Sequence, residues 1–217
     1  LDNETGERIL QQVGLNSFSV QSAGPLSVQA SFDGSLFDGM RTKVTALGAD
    51  TVANLEGVTT SDVLSTGFTG RAHVESSDIE PWLMALGYSL PGMGLGTTTD
   101  LSAALSWRSG KAVLRELAVV TNGNRAAGEL TVDASGETPA VRGQLGFEYL
   151  DAGQLYAIVT GDAASAMFAG EGEEALQREF GPPVLADHDI EITLTADETE
   201  LPMGNVILTD LSGSLTY

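Results

Sequence analysis

The residues best suited to chemistry in this chain are few. His73 and His188 are its only histidines, and it has no cysteine. His188 stands between Asp187 and Asp189, and carboxylates beside an imidazole suit a metal ligand or a general base. A metal cage needs converging ligands, however, and no second histidine lies at helical or hairpin spacing to it. Asp33-Gly-Ser-Leu-Phe-Asp38-Gly has the oxygen donors of a calcium loop. It lacks the EF-hand spacing, and no glutamate closes a loop of about twelve residues, so it reads as two tight turns. Gly92-x-Gly94-x-Gly96 has neither the preceding parallel strand nor the following helix of a dinucleotide loop. No Gly-x-Ser-x-Gly elbow occurs. The expectation is a protein with no catalytic residue, no metal site and no cofactor, and so not an enzyme.

Two acids draw attention for another reason: they repeat. Gly70-Arg-Ala-His-Val-Glu75-Ser-Ser-Asp78-Ile-Glu-Pro-Trp82-Leu83 is echoed by Gly143-Gln-Leu-Gly-Phe147-Glu148-Tyr-Leu-Asp151-Ala-Gly-Gln-Leu155-Tyr156 at a constant offset, 143 − 70 = 73. Each copy reads as an alternating strand, an acid and a short apolar helix. Asp78 and Asp151 are the expected helix caps, with Ser77-x-x-Glu80 as a competing capping box. Trp82, Leu83 and Leu86 form the apolar face of the first helix, and Leu155, Ile158 and Val159 that of the second. Helices this short must pack on a sheet to persist. A repeated strand-plus-helix unit argues for an extended scaffold rather than a single pocket.

The elements around these units alternate with period two. Leu26, Val28, Ala30 and Phe32 share one face, and Asp33-Gly34 is a hairpin signal. Met40–Ala46 is a further strand, Thr51–Gly57 a short strand or loop, and Thr59–Gly67 a polar connection. Leu101, Leu105 and Trp107 share a face; so do Val113, Arg115, Leu117 and Val119, and again Leu145, Phe147 and Tyr149. Ile190, Ile192 and Leu194 form another, followed by two strands at Val206–Leu208 and Leu211–Tyr217. Between them, Met167 with Phe168 and Glu173–Phe180 read as helices. Same-parity residues project from one side of a strand. Leu101, Leu105, Trp107, Leu145, Phe147, Ile190, Ile192 and Leu194 are therefore the candidates for an apolar binding face. The fold expected is mainly β, a curved antiparallel sheet or groove built of repeated strand-plus-short-helix units. Residues 1–25 form a lead-in and 26–217 one module, with repeats over about 67–133 and 140–217.

Charge narrows the partners. The 217 residues carry 10 Lys plus Arg against 30 Asp plus Glu, a net charge of −20. Nucleic-acid binding requires clustered cations and is excluded as an expectation. Electrostatic adhesion to an anionic membrane is disfavoured for the same reason. The 42% hydrophobic content suffices for a core. No apolar stretch is long enough to span a bilayer, and a start without Met reads as a piece of a longer chain whose anchor lies elsewhere.

Several segments resemble the AsmA family of bacterial envelope proteins, toward its C-terminal region. They are Phe68-Thr-Gly70-Arg-Ala-His-Val-Glu-Ser-Ser-Asp78-Ile79 with Ala85-Leu-Gly87, Leu117-Ala-Val-Val-Thr-Asn-Gly123-Asn, and Gly128-Glu-Leu-Thr-Val-Asp133. Pro139-Ala-Val-Arg-Gly143-Gln-Leu with Leu150-Asp151 and Leu155 comes next, and then Leu194-Thr-Ala196 through Asp210-Leu211. The resemblance covers roughly residues 26–217. It implies a periplasmic protein anchored in the inner membrane, built from β-groove modules similar to bridge-like lipid transporters. On that implication the partners are phospholipid acyl chains, serving lipid transport or outer-membrane biogenesis, with envelope proteins as further partners. The competing expectation is a closed β-sandwich that docks envelope machinery without binding lipid.

Overall fold

The computed structural model describes residues 2–3, 25–48, 50–62, 65–88, 93–160, 188–202 and 206–217. The helices expected over Met167–Phe168 and Glu173–Phe180, and most of the 1–25 lead-in, lie outside the described residues.

The strands form one open sheet of eleven strands whose spatial order equals their sequence order. They are β1 (Asp2–Asn3), β2 (Leu26–Ser35), β3 (Gly39–Gly48), β4 (Thr51–Ser61), β5 (Thr66–Ser76), β6 (Thr99–Arg108), β7 (Lys111–Thr121), β8 (Asn124–Asp133), β9 (Ala140–Asp151), β10 (Asp189–Leu201) and β11 (Val206–Thr216). Among the described residues, two short helices succeed strands: α1 (Glu80–Ala85) after β5 and α2 (Ala152–Thr160) after β9. The mainly β architecture is the one that the alternation predicts. No helix among the described residues is long and apolar enough to cross a membrane.

Neighbours are antiparallel except β9 and β10, which run parallel. A parallel neighbour cannot be reached by a hairpin, and α2 opens the long connection that carries the chain back. The two strand-plus-helix units therefore differ in the direction of the next strand. After α1 the chain returns antiparallel as β6; after α2 it returns parallel as β10.

The cross-strand register places every paired residue on the same face as its partner. Val28, Ala46, Ala53, Val74, Leu101 and Val119 form one such row, and Leu130, Gly143 and Ile192 belong to the same side. The opposite face carries the ion pairs: Arg41 with Asp33, Lys43 with Glu56, Arg71 with Glu116, Arg125 with Glu148, and Arg142 with both Asp189 and Glu191. The sheet thus has an apolar face and a charged face. Two pairs of hydroxyls on the apolar side bond each other, which meets the need of buried polar groups for a partner. Thr42 bonds Thr59 at 2.7 Å, and Thr51 bonds Ser76 at 2.6 Å.

Four local readings need correction. The first hairpin does not turn at Asp33-Gly34: β2 runs on to Ser35 and the turn is Leu36–Asp38. Gly34 and Gly39, both at positive φ, flank this wider turn. Thr59–Gly67 is not a connection; β4 continues to Ser61 and β5 begins at Thr66. The last two strands are one, β11. Finally, Val113 and Arg115 do not share the face of Leu117 and Val119. The β7 register slips between Leu114 and Leu117, where Glu116 has φ +50. This bulge adds one residue and reverses parity beyond it.

Candidate functional site

The apolar face is the chemically distinctive surface. Its side chains are mostly half-buried rather than sealed, with Trp107 at 41% and Phe32 at 59% exposure. All the candidate residues (Leu101, Leu105, Trp107, Leu145, Phe147, Ile190, Ile192 and Leu194) lie on it, because the register links their parities across β5 to β10. They do not converge on one spot. Leu101, Leu145 and Phe147 line a cavity of about 590 Å³ under α2. Trp107 and Phe68 border another space of about 540 Å³ at the opposite end of the strands, but its lining, with Thr69, Ser106, Arg108 and Lys111, comes mainly from the charged face. Leu105, Ile192 and Leu194 lie on the sheet outside both, and Ile190 is fully packed.

Both helices stand at the same end of the sheet, where β5 and β9 finish and β6, β8 and β4 begin. Helix α1 is held down by Trp82, whose indole N–H donates to Thr51 Oγ1 at 2.9 Å. Trp82 also closes a small apolar cavity against Ala46, Ala53 and Val74. The expected Ser77–Glu80 capping box does not form. The N-cap position is Ile79, without a side-chain cap bond. Asp78 Oδ1 accepts the N–H groups of Glu80 and Thr97. The buried Glu80 carboxylate instead accepts the Gly94 N–H at 2.7 Å and the Thr97 hydroxyl at 2.8 Å, fastening the return loop over α1. Asp151 Oδ1 accepts the N–H groups of Gly153 and Gln154 at the start of α2, at 2.8 and 3.0 Å. The two acids thus make similar bonds, but Asp151 ends its strand directly and Asp78 stands two residues beyond Ser76.

The α2 cavity has an apolar body and a polar end. Leu101, Leu117, Val119, Leu130, Leu145 and Phe147 rise from the sheet, and Leu155 and Ile158 descend from α2. At the end lie Asp151, Gln154, Tyr149, Asn124 and Arg125. Arg125 is drawn away by Glu148 at 3.7 Å. The Tyr149 hydroxyl donates to Glu200. That bond comes first, followed by lost hydration and the charges of Glu200, Asp151 and Glu198, and together they push the phenol from 10.0 up to about 12. No pattern in the amino-acid sequence signals this Tyr149–Glu200 pair, since its partners lie on different strands joined by a long crossover.

The raised value sets the sign of the linkage. Between pH 10 and about 12 the unfolded tyrosine is ionised while the folded one keeps its proton. The stabilisation is therefore complete below pH 10 and is lost as pH rises through that window. In an alkaline titration of phenolate absorbance, one of the 4 tyrosines is expected to ionise after the others. Glu200→Gln should bring it back among them; no late tyrosine in the parent chain would refute the bond.

The histidines do not form a site. His73 pairs with Asp100 at 3.0 Å on the charged face, half exposed. His188 Nε2 and the Tyr88 hydroxyl share a hydrogen bond of 3.2 Å; Asp187 lies outside the described residues. Among the described residues no group of three or more His, Asp or Glu side chains is placed to hold a metal. In the turn after β8, the Ser135 hydroxyl at 2.5 Å and then its N–H hold the Asp133 carboxyl below its ordinary 3.8.

No family model, curated protein or solved structure matches this chain.

Proposed function

We propose that this chain is a non-enzymatic module that shields lipid acyl chains along the apolar face of its sheet, as part of an AsmA-like periplasmic envelope protein serving phospholipid transport or outer-membrane biogenesis. One observation carries the reading: a single open sheet keeps its ion pairs on one face and leaves a continuous row of half-buried aliphatic and aromatic side chains on the other. Such a surface gains roughly 0.8 kcal/mol for each methylene it removes from water. A chain of many methylenes thus binds without any cation to hold its head group. The polar face stays hydrated and keeps the module in solution, with the net charge of −20 adding self-repulsion.

The test is direct. Purified protein is incubated with phospholipid vesicles, separated from them, and examined by native mass spectrometry and solvent extraction. Bound acyl lipid at a defined stoichiometry is the expected result. Folded protein that emerges free of lipid would favour the alternative, a docking module for envelope proteins.

A further inference from the structure

The cavity under α2 differs from the rest of the apolar face in having a charged end, at which acids predominate. Asp151 lines this end, Glu198 and Glu200 of β10 pair across from Tyr149 and Asp151 on the same face, and Glu200 accepts the hydrogen bond of the Tyr149 hydroxyl. Among the described residues the one cation in the lining, Arg125, already pairs with Glu148. The body of the cavity is aliphatic apart from Phe147. Its volume of about 590 Å³ falls in the range of sites for small ligands, ~300–1,000 Å³.

We infer that this cavity holds one apolar chain of a lipid whose head group carries an ammonium, with the chain along Leu145, Phe147 and Leu155 and the ammonium beside Tyr149, Asp151 and Glu200. The inference rests on the acyl-shielding reading and adds the head-group chemistry to it. Carboxylates attract the ammonium directly. The Tyr149 ring offers its electron-rich face, which adds to attraction for a cation near it. A carboxylate head would meet like charge at the same place and lose its hydration without a partner. The choice of head group is therefore electrostatic, while the affinity comes from the chain.

The experiment compares dodecylammonium, dodecanoate and dodecyl maltoside at concentrations below micelle formation, by calorimetric titration of the folded chain. Ethanolamine, which has the head but no chain, is the fourth arm. Dodecylammonium is expected to bind about tenfold more tightly than dodecanoate, with the maltoside between them and no detectable binding of ethanolamine. General attraction of a cation to an acidic protein is controlled by two variants of equal charge change. Glu198→Gln with Glu200→Gln should remove most of the preference; Asp38→Asn with Glu137→Gln, at the far turns, should keep it. Melting curves on both variants establish that they are folded.

Equal loss of preference in both variants would assign it to net charge and overturn the inference. So would no preference at all among three amphiphiles that bind, though the acyl-shielding reading would then survive. Ethanolamine binding as tightly as dodecylammonium would place the ammonium elsewhere than at this cavity. Failure of all three amphiphiles to bind folded protein would remove the acyl-shielding reading itself.

Discussion

Gly70→Val is expected to destabilise the protein by about 3 kcal/mol or more, beyond the ~1–3 kcal/mol usual for overpacking. Gly70 of β5 lies directly beside Gly57 of β4. A Cβ on Gly70 would fall under 3.0 Å from the Glu56 carbonyl oxygen, the Gly57 Cα and the tip of the Phe68 ring. Two of those three are backbone and cannot rotate away. The ring of Phe68, only 8% exposed, covers the space that the two missing side chains leave, so valine would displace it as well as spread the strands. Gly213→Ala is the matched control, a strand glycine with nothing within 4 Å of its added carbon; it should stay within about 0.5 kcal/mol of the parent. At roughly 2–4 °C per kcal/mol for a chain of this size, thermal melts should separate the two clearly. Coincident melting of Gly70→Val and the parent would mean that the strands do not approach as described.

Phe147→Glu is expected to lower acyl-chain capture by about tenfold or more while leaving the sheet folded. Phe147 stands between Ala126 of β8 and Ala196 of β10, so its ring reaches beyond two small neighbours and forms part of the cavity wall. A carboxylate there would either be desolvated by the bound chain or keep water in the site, and both outcomes oppose binding. Ser106→Glu puts the same charge on the hydrated face, paired with Thr69 and Val113, and should leave capture nearly unchanged. Because burial rather than ion pairing drives the capture of a neutral chain, the difference should persist at high salt. Capture is read from co-isolated lipid, with a melt on each variant to exclude unfolding. Equal capture by the Phe147→Glu and Ser106→Glu variants would show that the chain does not pass this point.

What the amino-acid sequence reveals is governed by parity. Leu101, Leu105 and Trp107 can be grouped because nothing interrupts their alternation, and the same holds for Leu145 with Phe147 and for Ile190 with Ile192 and Leu194. Grouping fails where a single residue changes the count. Glu116 has no feature that marks a bulge, yet it turns Val113 and Arg115 to the charged face. The turn at Leu36–Asp38 is hidden because Asp33-Gly34 is a strong signal for a shorter loop, and the second glycine at Gly39 makes the longer one possible. The parallel entry of β10 is illegible for a different reason. Strand pairing across a long connection depends on which edge is free, and alternation is silent about that. The Tyr149–Glu200 end of the cavity depends on this same pairing and is hidden with it. The capping of α2 by Asp151 is local and legible; the diversion of Glu80 to Gly94 and Thr97 is not, because the return loop must fold back before those donors exist.

The parallel step between β9 and β10 also orders events in time. From β2 to β9 each strand joins one that has just been made, so every addition closes only a short stretch of chain and sacrifices little entropy. The β10–β11 hairpin can form by itself, but it joins the sheet only after the whole connection from Asp151 to Asp189 has been closed, and such non-local pairing is slow. The meander should therefore reach its final pairing while the last hairpin is still searching for the β9 edge. Until that edge is covered, Leu145 and Phe147 remain at the border of an unfinished sheet, the stage at which aggregation competes most strongly with folding.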